Sequence, residues 1–162
     1  MEFISDYWRT EALHPLFVHF PIALLLVATL FKLFNLWRKS IILDKPGTIL
    51  LIAGVVGGWL AIYTGELADG IVSHTLCDPT VLKDHQNNSY TMIWLFTIAA
   101  IVDLIYQFRF LFLPALLVKW LVIILLFIGS GFLIYTGHLG AKLVYEQAAG
   151  VYRPSLDCAE FN

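Results

Sequence analysis

Charge is scarce in this chain. Lys, Arg, Asp and Glu make up 14% of its 162 residues, about half the share found in a soluble domain. The net charge is -2, so no basic excess is available for nucleic acid, and no such partner is expected. Cysteine is nearly absent. Cys77 and Cys158 are too few for a disulfide framework but enough for one bridge. There is no CxxCH, which excludes covalent c-type haem attachment. No phosphate-binding glycine loop occurs, and no Ser or Cys nucleophile stands beside a base, so a hydrolase is not expected. The N-terminus, "MEFISDYWRTEALHPLF", lacks a basic n-region and does not read as a cleaved signal peptide.

Apolar surface is what the chain has in excess. It is 59% hydrophobic, with a mean hydropathy of +0.79. Four apolar runs, 15–37, 48–67, 89–108 and 113–140, are long enough to cross a bilayer as helices. They predict an all-α integral membrane four-helix bundle, one domain over 1–162, with the lipid bilayer as its main partner. Residues 68–88 read as a polar loop between the second and third spans.

Basic residues orient the bundle. Lys32, Arg38, Lys39, Lys45, Arg109 and Lys119 fall on the side of the first and third connections, against Arg9, Lys83, Lys142 and Arg153 on the other. The positive-inside rule then puts both termini and residues 68–88 outside, in a periplasm or its equivalent. Cys77 and Cys158 share that outer side, where a disulfide between them would persist.

A repeat runs through the spans. "GGWLAIYTGEL" (Gly57–Leu67) aligns with "GSGFLIYTGHL" (Gly129–Leu139) at an offset of 72. At nearly the same offset His14 falls beside His85, and Lys32 on Asp103. Two pseudo-symmetric helical hairpins are predicted, related by an axis along the membrane normal as in parallel transporter repeats. A Lys32–Asp103 ion pair between the hairpins reads as structural. In this alignment Glu66 takes the place of His138.

The histidines gather at one end. His14 and His19 begin the first span, Glu66 ends the second, His85 precedes the third, and His138 ends the fourth. Ionisable residues at such positions are functional candidates. Pro15 suits a helix N1 position, which puts His14 near the N-cap. His19 then lies ~7.5 Å deeper and ~140° around the helix, so the two do not clamp one ion by simple helical spacing. His19 and His138 read as the deeper pair, His14 and His85 as the shallower one. His74 reads as a loop residue.

Imidazoles from different helices of a bundle suit a haem. With Glu66 they also suit Zn, Cu or Fe. A proton or quinol site using Glu66 and His138, or a polar network that only joins the hairpins, are the remaining readings.

"HPLFVHFPIALL" and "GHLGAKLVYEQAAGV" resemble the bacterial predicted membrane proteins labelled domain of unknown function 2231. The resemblance spans about residues 12–152 and includes the His85 position, but it does not extend to Glu66. Some similar proteins look fused beyond the fourth helix to c-type cytochrome domains, which implies an outer C-terminus and electron transfer. The expectation is a cytochrome-like subunit holding a non-covalent haem b near the outer face. Its axial ligands would be His19 and His138, with His85 and His14 as alternates and Glu66 as a supporting acid. A periplasmic c-type cytochrome or quinone is the expected redox partner. The alternatives are a transition-metal site shared by His14, His19, Glu66, His85 and His138, or a structural subunit of a larger membrane complex.

Overall fold

The computed structural model describes residues 9–38, 40–108 and 114–151. Each apolar run forms a helix: α1 (Thr10–Arg38), α2 (Ile41–Val72), α3 (Pro79–Gln107) and α4 (Ala115–Gln147). All four are long and apolar enough to cross a membrane.

The helices outrun the apolar runs because polar residues cap and extend them. The Arg9 carbonyl accepts from the Ala12 amide at 2.9 Å, and Glu11 sits in the first turn of α1, where an acid complements the helix dipole. Pro15 therefore lies inside α1 rather than at its first position. The expected loop over 68–88 shrinks to a 3-10 turn, Ser73–Thr75, and its flanking residues. Asp78 caps α3, accepting from the Thr80 amide at 2.9 Å and the Thr80 hydroxyl at 2.6 Å. Those two bonds hold its carboxyl below the usual carboxylate range. Pro79 follows at the position where its missing amide costs nothing.

The helices pair as α1 with α2 and α3 with α4, and these hairpins meet more sparsely through α2–α3 and α1–α4. The bundle is therefore ordered α1, α2, α3, α4, with α1 and α3 on one diagonal. Glycine sets the closeness within each hairpin. A Cβ on Gly54 would lie 2.7 Å from Leu25, and one on Gly129 would lie 3.1 Å from Phe96. Leu25 and Phe96 are fully buried in the core, with Ala28, Ile93, Ala99 and Leu126.

These contacts reveal the structural repeat, and it is not the phrase repeat. Phe96 follows Leu25 by 71 residues, as His85 follows His14 and Asp103 follows Lys32. Gly129 follows Gly54 by 75. The α3–α4 connection is longer than the α1–α2 connection, and the longer link advances α4 by about one turn. "YTGEL" and "YTGHL", matched at 72, are thus three residues out of structural register. Three residues turn a helix by ~300°, so Glu66 and His138 occupy different positions. The structural counterpart of Glu66 is Ala141.

The end opposite the histidines carries a buried polar network. The Lys32 ammonium donates to Asp44 Oδ1 at 2.9 Å, Thr48 Oγ1 at 2.7 Å and Asp103 Oδ1 at 2.8 Å. Thr48 donates to Asp103 Oδ2 at 2.6 Å, and Gln107 donates to Thr48 and Asp103. Lys32 is 5% exposed and Asp103 6%, so Lys32 is paired inside the bundle rather than extended to the surface. Eighteen residues separate His14 from Lys32, a rise of ~27 Å. That is close to the ~30 Å of hydrocarbon in a bilayer, so each polar constellation sits near one boundary of the apolar zone.

Candidate functional site: a histidine pair between the hairpins

Two of the five histidines meet. His14 of α1 and His85 of α3 approach across the bundle diagonal with ring centroids 6.1 Å apart and planes at 89°. Each is held by the other helix of its own hairpin. His14 Nδ1 lies 2.9 Å from the Ala61 carbonyl oxygen of α2. His85 Nδ1 lies 3.1 Å from the Thr136 carbonyl oxygen of α4. A carbonyl only accepts, so each Nδ1 carries the hydrogen and, in the neutral ring, each Nε2 carries the lone pair. Both rings are thus fixed in the tautomer a metal ligand needs, by the backbone contact that usually sets it.

Glycines make room for this arrangement. A Cβ on Gly65 would lie 3.1 Å from the His14 ring, and one on Gly140 would lie 3.2 Å from the His85 ring. Ala61 and Thr136, Gly65 and Gly140 are separated by the same 75 residues, so the site obeys the structural repeat.

One hydroxyl at the site is conspicuous. Thr29, Thr64, Ser89, Thr91 and Thr97 each hydrogen-bond the carbonyl four residues back in their own helix, the usual use of a hydroxyl on a helix. Thr136 is 8% exposed, yet its Oγ1 has no partner among the described residues. A buried hydroxyl left this way wants a ligand or a water.

The other expected ligands lie elsewhere. His19 is exposed, with Nδ1 2.6 Å from the Pro15 carbonyl oxygen of its own helix. His138 is exposed on α4. Glu66 is exposed on α2 and accepts a hydrogen bond from the Tyr90 hydroxyl of α3. The rings of His19 and His138 meet no other histidine among the described residues. The shared five-residue metal cluster is thus not assembled. No group of three or more His, Cys, Asp or Glu able to hold a metal occurs among the described residues. The reasons are angular. His19 stands ~140° around α1 from His14 and Glu66 ~100° around α2 from Gly65, while His138 is out of register with both. His74 and Cys77 are exposed, and Cys158 lies outside the described residues, as does any bridge to it.

A cavity of about 380 Å³ opens at the same end between the start of α1 and the ends of α2 and α4, lined by Arg9, Glu11 and Gln147 among others. None of the candidate ligands lines it. Sequence reasoning missed Thr136, Tyr90 and the two carbonyls, since a threonine or tyrosine in an apolar run carries no signal of what it faces.

A family model described as "Predicted membrane protein" matches residues 10–153. Neither the comparison with curated proteins nor that with solved structures finds a match. With nearly all of the described bundle inside the matched region, the chain belongs to the DUF2231 family of predicted membrane proteins.

Proposed function

We propose that this protein is a membrane electron-transfer subunit that holds a non-covalent haem through His14 and His85. The observation that carries the reading is the imidazole pair. His14 and His85 would hold the group from two different helices, with their ring centroids 6.1 Å apart and planes at 89°. Both rings already have Nδ1 tied to a carbonyl, which leaves Nε2 for the metal. A haem held here would take two donors from the protein. A structural zinc asks for four. A pair of imidazoles matches the number of protein donors a haem would take and falls short of the four a structural zinc would take. Bound haem would supply a one-electron carrier. The chain's own contribution is to fix the two rings, shield them between helices, and offer the Thr136 hydroxyl.

In the orientation given by the basic residues, the histidine end faces outward. A periplasmic c-type cytochrome, or another soluble carrier, would then exchange electrons at that surface, with quinone as the membrane-side partner. The chain would work in a bacterial inner membrane with both termini outside.

The test is an optical spectrum of detergent-purified protein made with haem available, air-oxidised and then dithionite-reduced. The expected result is a Soret band with sharp α and β bands on reduction. These should be lost in His14→Ala and His85→Ala but kept in His19→Ala and His138→Ala. A featureless spectrum from folded protein overturns the proposal, as does loss of the bands in His19→Ala or His138→Ala alone. Elemental analysis of the same sample detects a non-haem metal on the same pair.

A further inference from the structure

The groove between α2 and α3 carries a cluster that the histidine pair does not use. Near the histidine end, Tyr90 of α3 donates its hydroxyl to Glu66 Oε1 of α2. Glu66 is exposed, and its Oε2 accepts no hydrogen bond from the described residues. Below this pair stand two indoles. Trp59 packs edge-on to Tyr90 with centroids 6.5 Å apart, and to Trp94 at 5.2 Å. Trp94 is 53% exposed on the lipid-facing surface, while the Trp59 indole N–H donates to Thr97 Oγ1 at 3.2 Å.

Two facts separate this cluster from ordinary membrane-protein furniture. The first is depth. Trp94 lies nine residues beyond His85, ~13 Å farther into the apolar zone, whereas tryptophan belts sit at the headgroup level. The second is asymmetry. In the structural register the counterparts of Glu66, Tyr90, Trp59 and Trp94 are Ala141, His19, Ile134 and Ala23. These matching α1–α4 positions hold no acid and no indole, and the exposed His19 stands where Tyr90 does. The α2–α3 groove thus carries a carboxylate near the boundary of the apolar zone, with aromatic rings on its deeper side.

We propose that this groove binds the ring of a lipid-soluble hydroquinone. The ligand must reach the site from the bilayer, present a flat face to the indoles, and donate a hydroxyl to a carboxylate. A hydroquinone meets all three requirements. One ring hydroxyl donates to Glu66 Oε2 near the boundary of the apolar zone, the ring lies against Trp59 and Trp94, and the apolar tail runs toward the bilayer centre. Tyr90 positions the carboxylate by holding Oε1. The oxidised ring has no hydroxyl to donate, so the site favours the reduced form. The choice of a redox-active ring rests on the electron-transfer reading, but the contacts themselves do not need a haem.

The test is tryptophan fluorescence of the purified full chain in lipid nanodiscs, titrated separately with decylubiquinol and decylubiquinone. The expected result is saturable quenching by the hydroquinone at lower concentration than by the quinone. Glu66→Gln should weaken hydroquinone binding roughly tenfold and erase that preference, whereas Ala141→Gln in the matching groove should change neither. Trp94→Leu, at an exposed position, should weaken both forms and serves as the second variant should Glu66→Gln fail to fold. His14→Ala and His85→Ala should still bind hydroquinone, which separates this site from the haem reading. Non-saturable quenching, or saturable binding indifferent to both Glu66→Gln and Trp94→Leu, overturns the proposal.

Discussion

At the scale of single residues, backbone carbonyls decide more than side-chain identity does. His14 and His19 are both imidazoles on the same helix, yet one donates to α2 and faces His85, while the other donates to its own helix and is exposed. A second residue-scale feature is Ala148, which ends α4 with φ at 54°. Its amide bonds the Val144 carbonyl at 3.1 Å and the next amide bonds Leu143 at 3.0 Å, the pattern in which glycine is preferred. A left-handed conformation costs an L-residue roughly 1 kcal/mol. Ala148→Gly should therefore raise stability by up to about 1 kcal/mol, seen as a higher midpoint in thermal unfolding in detergent. No rise would mean that the gain in unfolded-chain entropy offsets the relief. The sequence set His14 and His85 at matched places through the repeat, yet it pointed to His19 and His138 as the deeper pair and first-choice ligands. It could not show the Ala61 and Thr136 carbonyls, since a main-chain acceptor looks the same at every position.

At the scale of helices, close approach is concentrated at a few glycines. Gly54 faces Leu25, which is fully buried and has no space to retreat into. Gly131 and Gly137 of α4 have nothing within 4 Å of an added Cβ. Gly54→Ala should destabilise by about 1–3 kcal/mol through overpacking, whereas Gly131→Ala should be neutral or slightly stabilising through helix propensity. Unfolding midpoints of the two variants, measured side by side, check this. Equal midpoints would show that Leu25 repacks. Hydropathy was enough to place four spans, because each must cover the same apolar depth. Helix ends were harder. The segment 79–88 is polar, and 68–72 is interrupted by Asp69 and Gly70, so their helicity comes from capping and packing rather than from a continuous apolar run. Register was misread for a related reason: "YTG" recurs as a phrase, but packing follows the glycines that meet Leu25 and Phe96, three residues away from that match.

At the scale of the molecule, the Lys32 network joins three helices and both hairpins. Lys32→Met should cost about 3–5 kcal/mol, because it strands the Asp103 and Asp44 carboxylates without their cation. Lys32→Met combined with Asp103→Leu should cost much less than the two single changes summed. A double-mutant cycle from denaturant unfolding measures the coupling, and additive costs would show that the two side chains do not act as a pair.

The same network bears on how the two halves recognise each other. Lys32 and Asp103 hold equivalent places in the two hairpins, and so do Asp44 and Lys119, with every sign reversed. Were a hairpin to associate with a copy of itself about the same axis, lysine would meet lysine or aspartate would meet aspartate at the buried crossing. The intact chain instead brings opposite charges together at 2.7 Å. The bundle therefore has the outline of a homodimer but accepts only unlike halves, so its two faces were free to diverge, one toward indoles and an acid, the other toward alanine and isoleucine.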